Sequence, residues 1–336
     1  MPAELGASLT DGRLGGVILF RRNLPDQAAC LGITEAICRL SPPDYPAFVG
    51  IDEEGGRVTR LPPSLPRLPP ARMLGDLGDP AQVFRVAEAL GRLLRALGIN
   101  VDFAPVLDVD TNPENPIIGD RAFGRDAEMV ARLGVALADG LGRGGVLGCG
   151  KHFPGHGDTS LDSHLDLPEI RHDEERLGRV ELLPFRAAIR AGIPCLMSAH
   201  VVYSALDPGV PATLSERIAE RLLRDELGFS GVLFSDALEM RALADRLPIE
   251  QSAVRAVRAG CDALLICRSA ELVARARAAL AAECQKSPAF AERCAVAVTR
   301  SLAARRRCPP RPAERAEVDR QAEGLAAVLL ELGLSK

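Results

Sequence analysis

Gly145-Val-Leu-Gly-Cys-Gly-Lys-His152 is a short apolar run that ends abruptly in two polar side chains. Its length and glycine flank predict a buried strand, Val146–Gly150, with Lys151 and His152 at the C-terminal end. Six further runs follow the same pattern: Gly15–Phe20, Ala47–Ile51, Asn100–Leu107, Pro194–Ala199, Gly231–Ser235 and Asp262–Cys267. The residues just beyond them are Arg21 and Asn23, Asp52, Asp108, His200, Asp236 and Arg268. Short apolar strands with polar ends are what parallel sheets require, because their crossovers cover both faces.

Helical periodicity fills the gaps. Ala81–Leu97 carries an apolar stripe, with Asp79 placed as N-cap, Pro80 at the first helical position and Gly98 as the stop. Asp126 and Ser215 can cap helices that run to Leu141 and Leu227, and Pro184 divides Glu174–Ala191. Strand–helix alternation fits either a doubly wound sheet or a (β/α) barrel. A doubly wound sheet gathers its chemistry near one switch point. A barrel displays polar residues at the ends of many strands. The expected fold class is therefore α/β, a (β/α)8 TIM-type barrel. The expected domains are a barrel over 1–304 and, over 305–336, a connector and C-terminal helix packed on the barrel. The basic, proline-rich break Arg305–Pro312 is expected to be solvated.

Composition narrows the function. The chain has 336 residues, 47% hydrophobic, enough for a core without disulfides. Its net charge of −4, with no basic block around an apolar segment, argues against a nucleic-acid partner. Val17–Phe20 and Ala263–Cys267 are far shorter than the roughly 18 residues of a membrane span, so no membrane partner is expected. Nine cysteines without any C-x-x-C pair, and an N-terminus without a signal-peptide pattern, point to a reducing cytoplasm.

Gly145–Lys151 comes close to a phosphate-binding loop. His152 stands where Ser or Thr would hold magnesium, and Phe153-Pro154-Gly155 cannot continue as the required helix. Nucleotide binding is set aside. The segment Lys151–His164 holds three of the five histidines, and Gly155 and Gly157 mark it as a mobile loop. Asp162 and His164, two apart, leave the same face of an extended chain. A carboxylate beside an imidazole fixes its tautomer and favours its charged form, as a general acid/base needs. His152, His156, His164 and Asp158 match no metal-ligand spacing, so no metal is expected. Asp236, ending an apolar strand, suits a rigidly held nucleophile, although an aspartate there can also cap the next helix. Asp52-Glu-Glu-Gly-Gly-Arg57-Val-Thr-Arg60 and Arg121 offer further groups for a polar ligand.

These motifs resemble glycoside hydrolase family 3, in its short bacterial β-N-acetylglucosaminidase branch. The resemblance spans about Gly15 to Cys267 and rests on four stretches. They are Ile51-Asp-Glu-Glu-Gly-Gly-Arg-Val58, Phe103-Ala-Pro-Val-Leu-Asp-Val109, Lys151-His-Phe-Pro-Gly-His-Gly157 with Asp162-Ser-His164, and Phe234-Ser-Asp236. It implies a retaining hydrolase without a cofactor. Asp236 would be the nucleophile, His164 the acid/base and Asp162 its supporting carboxylate. Asp52, Arg60, Arg121, Lys151 and His152 would bind the terminal sugar. The usual retaining scheme uses two carboxyl groups about 5–5.5 Å apart; here a His–Asp pair replaces one. The implied substrate is a terminal β-linked N-acetylglucosamine on a small soluble muropeptide, in peptidoglycan recycling, with the protein a monomer. A chain without Trp and with only Tyr45 and Tyr203 lacks aromatic platforms for long polymers, which favours that choice. A phosphorylase, a β-glucosidase of the same fold and a non-catalytic sugar-binding barrel remain alternatives. The family begins with a strand; here Met1–Thr10 reads as a helix, so the first strand is expected to be absent or to lie upstream.

Overall fold

The computed structural model describes residues 3–160 and 167–335. The seven apolar runs become the parallel strands β1 (Gly16–Leu19), β2 (Phe48–Ile51), β3 (Val101–Asp102), β4 (Leu147–Phe153), β6 (Cys195–Ser198), β8 (Val232–Ala237) and β9 (Ala263–Leu265), and two short strands that the sequence reading missed are added, β5 (Glu169–Ile170) and β7 (Val202–Tyr203). Seven of them form one all-parallel sheet in the order β1-β2-β3-β4-β6-β8-β9, and β5 pairs with β7 beside it.

The sheet curls around its own core. Phe48, Val101, Phe103, Leu147, Cys149, Cys195, Met197, Val232 and Phe234 form one buried cluster, with Ile18, Ala263 and Leu265 packed against it, so all seven strands contribute. Phe234 meets Phe48 at a tilt and Phe103 edge to face, with ring centroids 5.3 Å apart in each case. Gly50 faces the same interior; a Cβ there would lie 2.8 Å from the Phe103 ring. Such filling by interior side chains makes a packed core rather than a pore.

The expected (β/α) crossovers surround it. Asp79 accepts the Ala81 N–H at the start of the helix Pro80–Ala96, and Asp126 accepts the Met129 N–H at the start of Ala127–Arg143. Ser215 Oγ takes the Ile218 N–H ahead of the helical segment Arg217–Glu226. Pro184 sits in the first turn of Leu183–Arg190, separated from Glu174–Arg179 as its missing N–H requires.

Three expectations need correction. Asn100–Leu107 is not one regular strand: the ladder of β3 ends at Asp102, and beyond it β4 is held by single contacts, Ala104 O and Pro105 O accepting the Cys149 and Lys151 N–H groups at 2.8 and 3.0 Å, with a bridge between Val106 and Lys151. Pro105, which has no N–H to donate, lies in the break. The Arg305–Pro312 segment is solvated only in part: Arg306, Arg307, Pro309 and Pro312 are exposed, while Arg305 and Cys308 are buried. The helix Pro288–Arg307 carries Ala304, and then Cys308, into the barrel interior at its N-terminal end. Arg305 is buried and donates to Pro46 O at 3.1 Å, Asn100 Nδ2 donates to Cys308 O at 2.8 Å, and Arg311 donates to Arg95 O at 2.9 Å. A carbonyl just before β2 and one in the last turn of the helix Pro80–Ala96 thus take up Arg305 and Arg311. Lys151–Gly157 is not a loose loop either, because β4 extends to Phe153 and the next residues are tied down, as described below.

The C-terminal helix Arg315–Glu331 places Val318, Leu325 and Leu329 in the same core cluster as Val83, Val86 and Leu90. At the other end Ala3–Thr10 is helical, as read from sequence. The sheet edges are β1 and β9, and among the described residues no strand lies between them. Arg22 spans the seam by donating to Cys267 O at 2.8 Å. Among the described residues no helix is long and apolar enough to cross a membrane.

Candidate active site

Alternation along each strand decides what reaches the barrel mouth. Phe48 and Gly50 face the interior, so Asp52 continues that face above them; Leu147 and Cys149 are followed by Lys151, and Val232 and Phe234 by Asp236. Three strands two or more apart in the sheet thereby aim charged groups at one spot.

They meet as a network. Lys151, 2% exposed, donates to Asp52 Oδ1 at 2.7 Å and contacts Glu54 Oε1 at 2.6 Å. Arg121 grips Glu54 with both prongs, Nε to Oε2 and a terminal nitrogen to Oε1, each at 2.8 Å. Two buried cations are thus set against two carboxylates. Burial alone would raise the Glu54 carboxyl, but Arg121 and Lys151 outweigh it and hold the acid far below the usual carboxylate range. Burial would likewise favour a neutral Lys151; Asp52 and Glu54 reverse that and push its ammonium up. Lys151 stays charged, a fixed donor for ligand oxygens.

His152 is set by Asp108, which ends the run after β3. Its Nδ1 lies 2.7 Å from Asp108 Oδ2, and Asp108 Oδ1 accepts the backbone N–H groups of His152 at 3.1 Å and His156 at 2.7 Å. An Asp108 carboxylate accepts a hydrogen bond from Nδ1–H, leaving Nε2 of His152 to face away from it. Burial would raise the Asp108 acid, yet His152, His156 and these N–H groups lower it overall. His156 is itself buried, with Nδ1 2.8 Å from Thr159 Oγ1; burial and the nearby His152 depress it to about 4, so it is neutral at pH 7.

Asp236 lies near the end of β8, partly open to the mouth. Burial works against its charge. The His200 and His152 imidazoles, the Ala237 N–H at 2.7 Å and Lys151 more than compensate, and the acid falls below its ordinary value. Asp236 is therefore ionised at neutral pH and aims at the same space as Lys151 and His152. Arg60 follows β2 on the loop whose backbone N–H groups, from Arg60 and Leu61, donate to buried Glu53. Its own Nε is buried with no hydrogen-bond partner among the described residues. Asp162 and His164 lie outside the described residues.

The sequence reading missed the supporting acids. Glu54 shares its motif with Asp52, but nothing local says which of the adjacent Glu53 and Glu54 turns toward Lys151. Glu53 turns inward to Thr59 Oγ1 at 2.7 Å and to the loop backbone. Asp108 and His200 were marked only as strand ends. Their partners, His152 and the Thr213 hydroxyl 2.8 Å from His200 Nδ1, come from other elements.

The barrel mouth thus gathers an ionised aspartate, a fixed lysine and an arginine held on a carboxylate, a set of charged groups able to bind a polar ligand. Comparison with known proteins narrows this. The family described as "Glycosyl hydrolase family 3 N terminal domain" matches residues 1–298. The curated β-hexosaminidase of Neisseria meningitidis serogroup C is 42% identical over 272 residues, 79% of this chain and 74% of that protein. The β-hexosaminidase of Chromobacterium violaceum is 42% identical over 296 residues, 85% of this chain and 80% of that one. Among solved structures, native NagZ from Neisseria gonorrhoeae superposes with a TM-score of 0.83 at 35% identity, covering 100% of this chain and 95% of that one. The family 3 β-N-acetylglucosaminidase from Paenibacillus sp. str. FPU-7 gives 0.90 at 39% identity; this chain spans 64% of that longer one. The chain belongs to glycoside hydrolase family 3. Within that family it groups with the bacterial β-N-acetylhexosaminidases.

Proposed function

We propose that the protein releases terminal β-linked N-acetylglucosamine from a small soluble peptidoglycan fragment, with retention of configuration. The observation that carries this reading is Asp236: a carboxylate held ionised near the end of β8, beside the charged groups Lys151 and His152 at the barrel mouth. In the proposed first step an Asp236 oxygen attacks the anomeric carbon while the bond to the leaving oxygen breaks. His164, oriented by Asp162, gives that oxygen its proton. In the second step His164 takes a proton from water, whose oxygen displaces Asp236 from the anomeric carbon. Lys151, His152, Asp52, Arg121 and Arg60 hold the hydroxyls, each in a geometry that rejects a ligand lacking its partner. Residues 1–304 supply the barrel and 305–336 its closing segment and outer helix. We further propose that the enzyme acts as a cytoplasmic monomer without a cofactor. NagZ from Neisseria gonorrhoeae, which this chain resembles, has been solved in complex with N-trifluoroacetyl-D-glucosamine, which supports the sugar assignment.

The test is an aryl-glycoside panel assayed with and without phosphate. A higher kcat/KM for the β-N-acetylglucosaminide than for the β-glucoside, unchanged by phosphate, is expected. A preference for the plain glucoside overturns the substrate. Phosphate-dependent turnover that yields sugar 1-phosphate overturns hydrolysis.

A further inference from the structure

β8 carries Asp236 past the point where the regular ladders hold the strand. On one side the ladder between β6 and β8 ends at the pair Met197–Phe234, before Asp236 is reached. On the other side β9 matches Phe234 with Ala263 and Ala237 with Leu265, so the register shifts across Asp236. Three steps along β8 oppose two along β9, a bulge of the kind that re-aims a side chain. Within it the Leu265 N–H turns to the Ser235 hydroxyl, 3.1 Å away. Side chains take over from the ladder. His200, fully buried, follows β6, and its Nε2 lies 3.0 Å from Ala237 O. A carbonyl only accepts, so Nε2 carries the hydrogen and donates. Ala237 in turn gives its N–H to Asp236 Oδ1 at 2.7 Å. Ala237 therefore meets Asp236 through its amide and His200 through its carbonyl. The imidazole is set from behind by Thr213, whose Oγ1 lies 2.8 Å from Nδ1. Thr213 is buried and fixed, with Ser198 Oγ 2.8 Å from its hydroxyl and its N–H donating to Ala199 O at 3.2 Å.

We propose that His200 is a positioning residue for Asp236, a side-chain rung from the end of β6 to β8 beyond the last backbone pair, a role that rests on the assignment of Asp236 as nucleophile above. The hydrogen bond from Nε2 to Ala237 O holds the residue whose amide orients the Asp236 carboxylate, and Thr213 keeps the ring turned toward that carbonyl. Lys151, Asp52 and Arg121 belong to β4 and to the loops after β2 and β3, so loss of the rung leaves the hydroxyl-binding groups in place. It should slow attack on the anomeric carbon rather than weaken sugar binding. Asp236 forms a bond in the first step and gives it up in the second, whatever the leaving group. A misplaced nucleophile should therefore cost about 10–100-fold in rate on good and poor leaving groups alike.

The experiment compares wild type, His200→Leu, His200→Asn, His200→Gln and Thr34→Val. Glutamine carries an amide N–H near the position of Nε2, whereas asparagine reaches only to that of Nδ1. Thr34 is a buried control on the helix Gln27–Leu40, its hydroxyl bonded to Cys30 O at 3.0 Å. Each protein is incubated with a slow fluorinated N-acetylglucosamine analogue, and the labelling rate of the Asp236 peptide is followed by mass spectrometry across analogue concentrations. Turnover is measured on 2,4-dinitrophenyl β-N-acetylglucosaminide and on N,N′-diacetylchitobiose, and thermal unfolding reports that each variant folds. His200→Leu and His200→Asn should label about 10–100-fold more slowly at saturation, with the half-saturating concentration nearly unchanged and kcat lower by a similar factor on both substrates. His200→Gln should recover most of the loss, and Thr34→Val should behave as wild type. Should His200→Leu fail to fold, the comparison of Gln with Asn decides. Wild-type labelling in the folded variants, a change in the half-saturating concentration alone, or a Gln variant no faster than the Asn variant overturns the rung while wild type still labels on Asp236. A wild-type label on another residue overturns the nucleophile assignment, and the rung falls with it.

Discussion

Replacing Glu54 with Gln tests whether the charges under the proposed sugar site behave as one buried unit. The Glu54 side chain is 3% exposed, its partners Lys151 and Arg121 2% and 11%. Glutamine keeps the size and one acceptor oxygen but removes the charge, so the two cations lose the carboxylate they share. Breaking a buried pair from one side costs about 3–5 kcal/mol. At about 2 °C per kcal/mol for a chain of this size, Tm should fall by roughly 6–10 °C. The exposed pair Arg85–Glu331, with side chains 45% and 60% exposed, serves as the control. Glu331→Gln should cost no more than about 1 kcal/mol, a shift of roughly 2 °C or less. Thermal unfolding at pH 7 measures both variants, repeated in high salt, where the Glu54→Gln deficit should persist because buried charges are weakly screened. The sign with pH is also fixed. The folded-state Glu54 acid is depressed, so its contribution is complete above the unfolded value of about 4.3 and declines as pH falls below it. The deficit should accordingly shrink below about pH 4. A Tm within 2 °C of wild type at pH 7 would refute the reasoning.

Asp102, fully buried with Oδ2 unpaired, behaves oppositely: burial, with Glu53 and Asp52 adding to it, pushes its acid well above the ordinary range. The folded chain then holds a proton that the unfolded chain releases above about pH 3.9, so stability falls as pH rises from there. Asp102→Asn, which keeps an acceptor for the Glu53 N–H at 2.9 Å, should be more stable than wild type at pH 7. The gap should close toward pH 4; a variant less stable at every pH contradicts this. Asp108→Asn should lower kcat/KM by about 10–100-fold, the value of a charge-assisted hydrogen bond to His152 of roughly 1.5–3 kcal/mol; unchanged kinetics would mean His152 needs no orienting partner. Removal of divalent cations by a chelator should leave activity intact, and a loss reversed by zinc would contradict the metal-free reading.

The strands were legible because each is a short apolar run with an abrupt polar end, and Asp52, Lys151 and Asp236 were legible because they are those ends. What local pattern cannot carry is choice among neighbours. Glu53 and Glu54 are chemically alike, and only the approach of Lys151 and Arg121 from distant segments separates their roles. Arg305 and Arg311 look like solvent residues until the end of helix Pro288–Arg307 and the chain after it bring them to the carbonyls of Pro46, just before β2, and Arg95, in the last turn of the helix Pro80–Ala96. Pro105 was visible inside the expected Asn100–Leu107 strand, and its missing N–H should have shortened that strand from the start. His156 between two glycines suggested looseness, yet Gly157 is there because Val109 O leaves no room for a side chain.

The central claim is that Asp236 becomes covalently glycosylated during turnover. Incubation with a slow fluorinated N-acetylglucosamine analogue, followed by proteolysis and mass spectrometry of the peptides, tests it most directly. The account predicts one sugar ester, located on Asp236, with activity lost in step with labelling and regained as the ester hydrolyses. A label on any other residue, or full activity in Asp236→Ala, would contradict it.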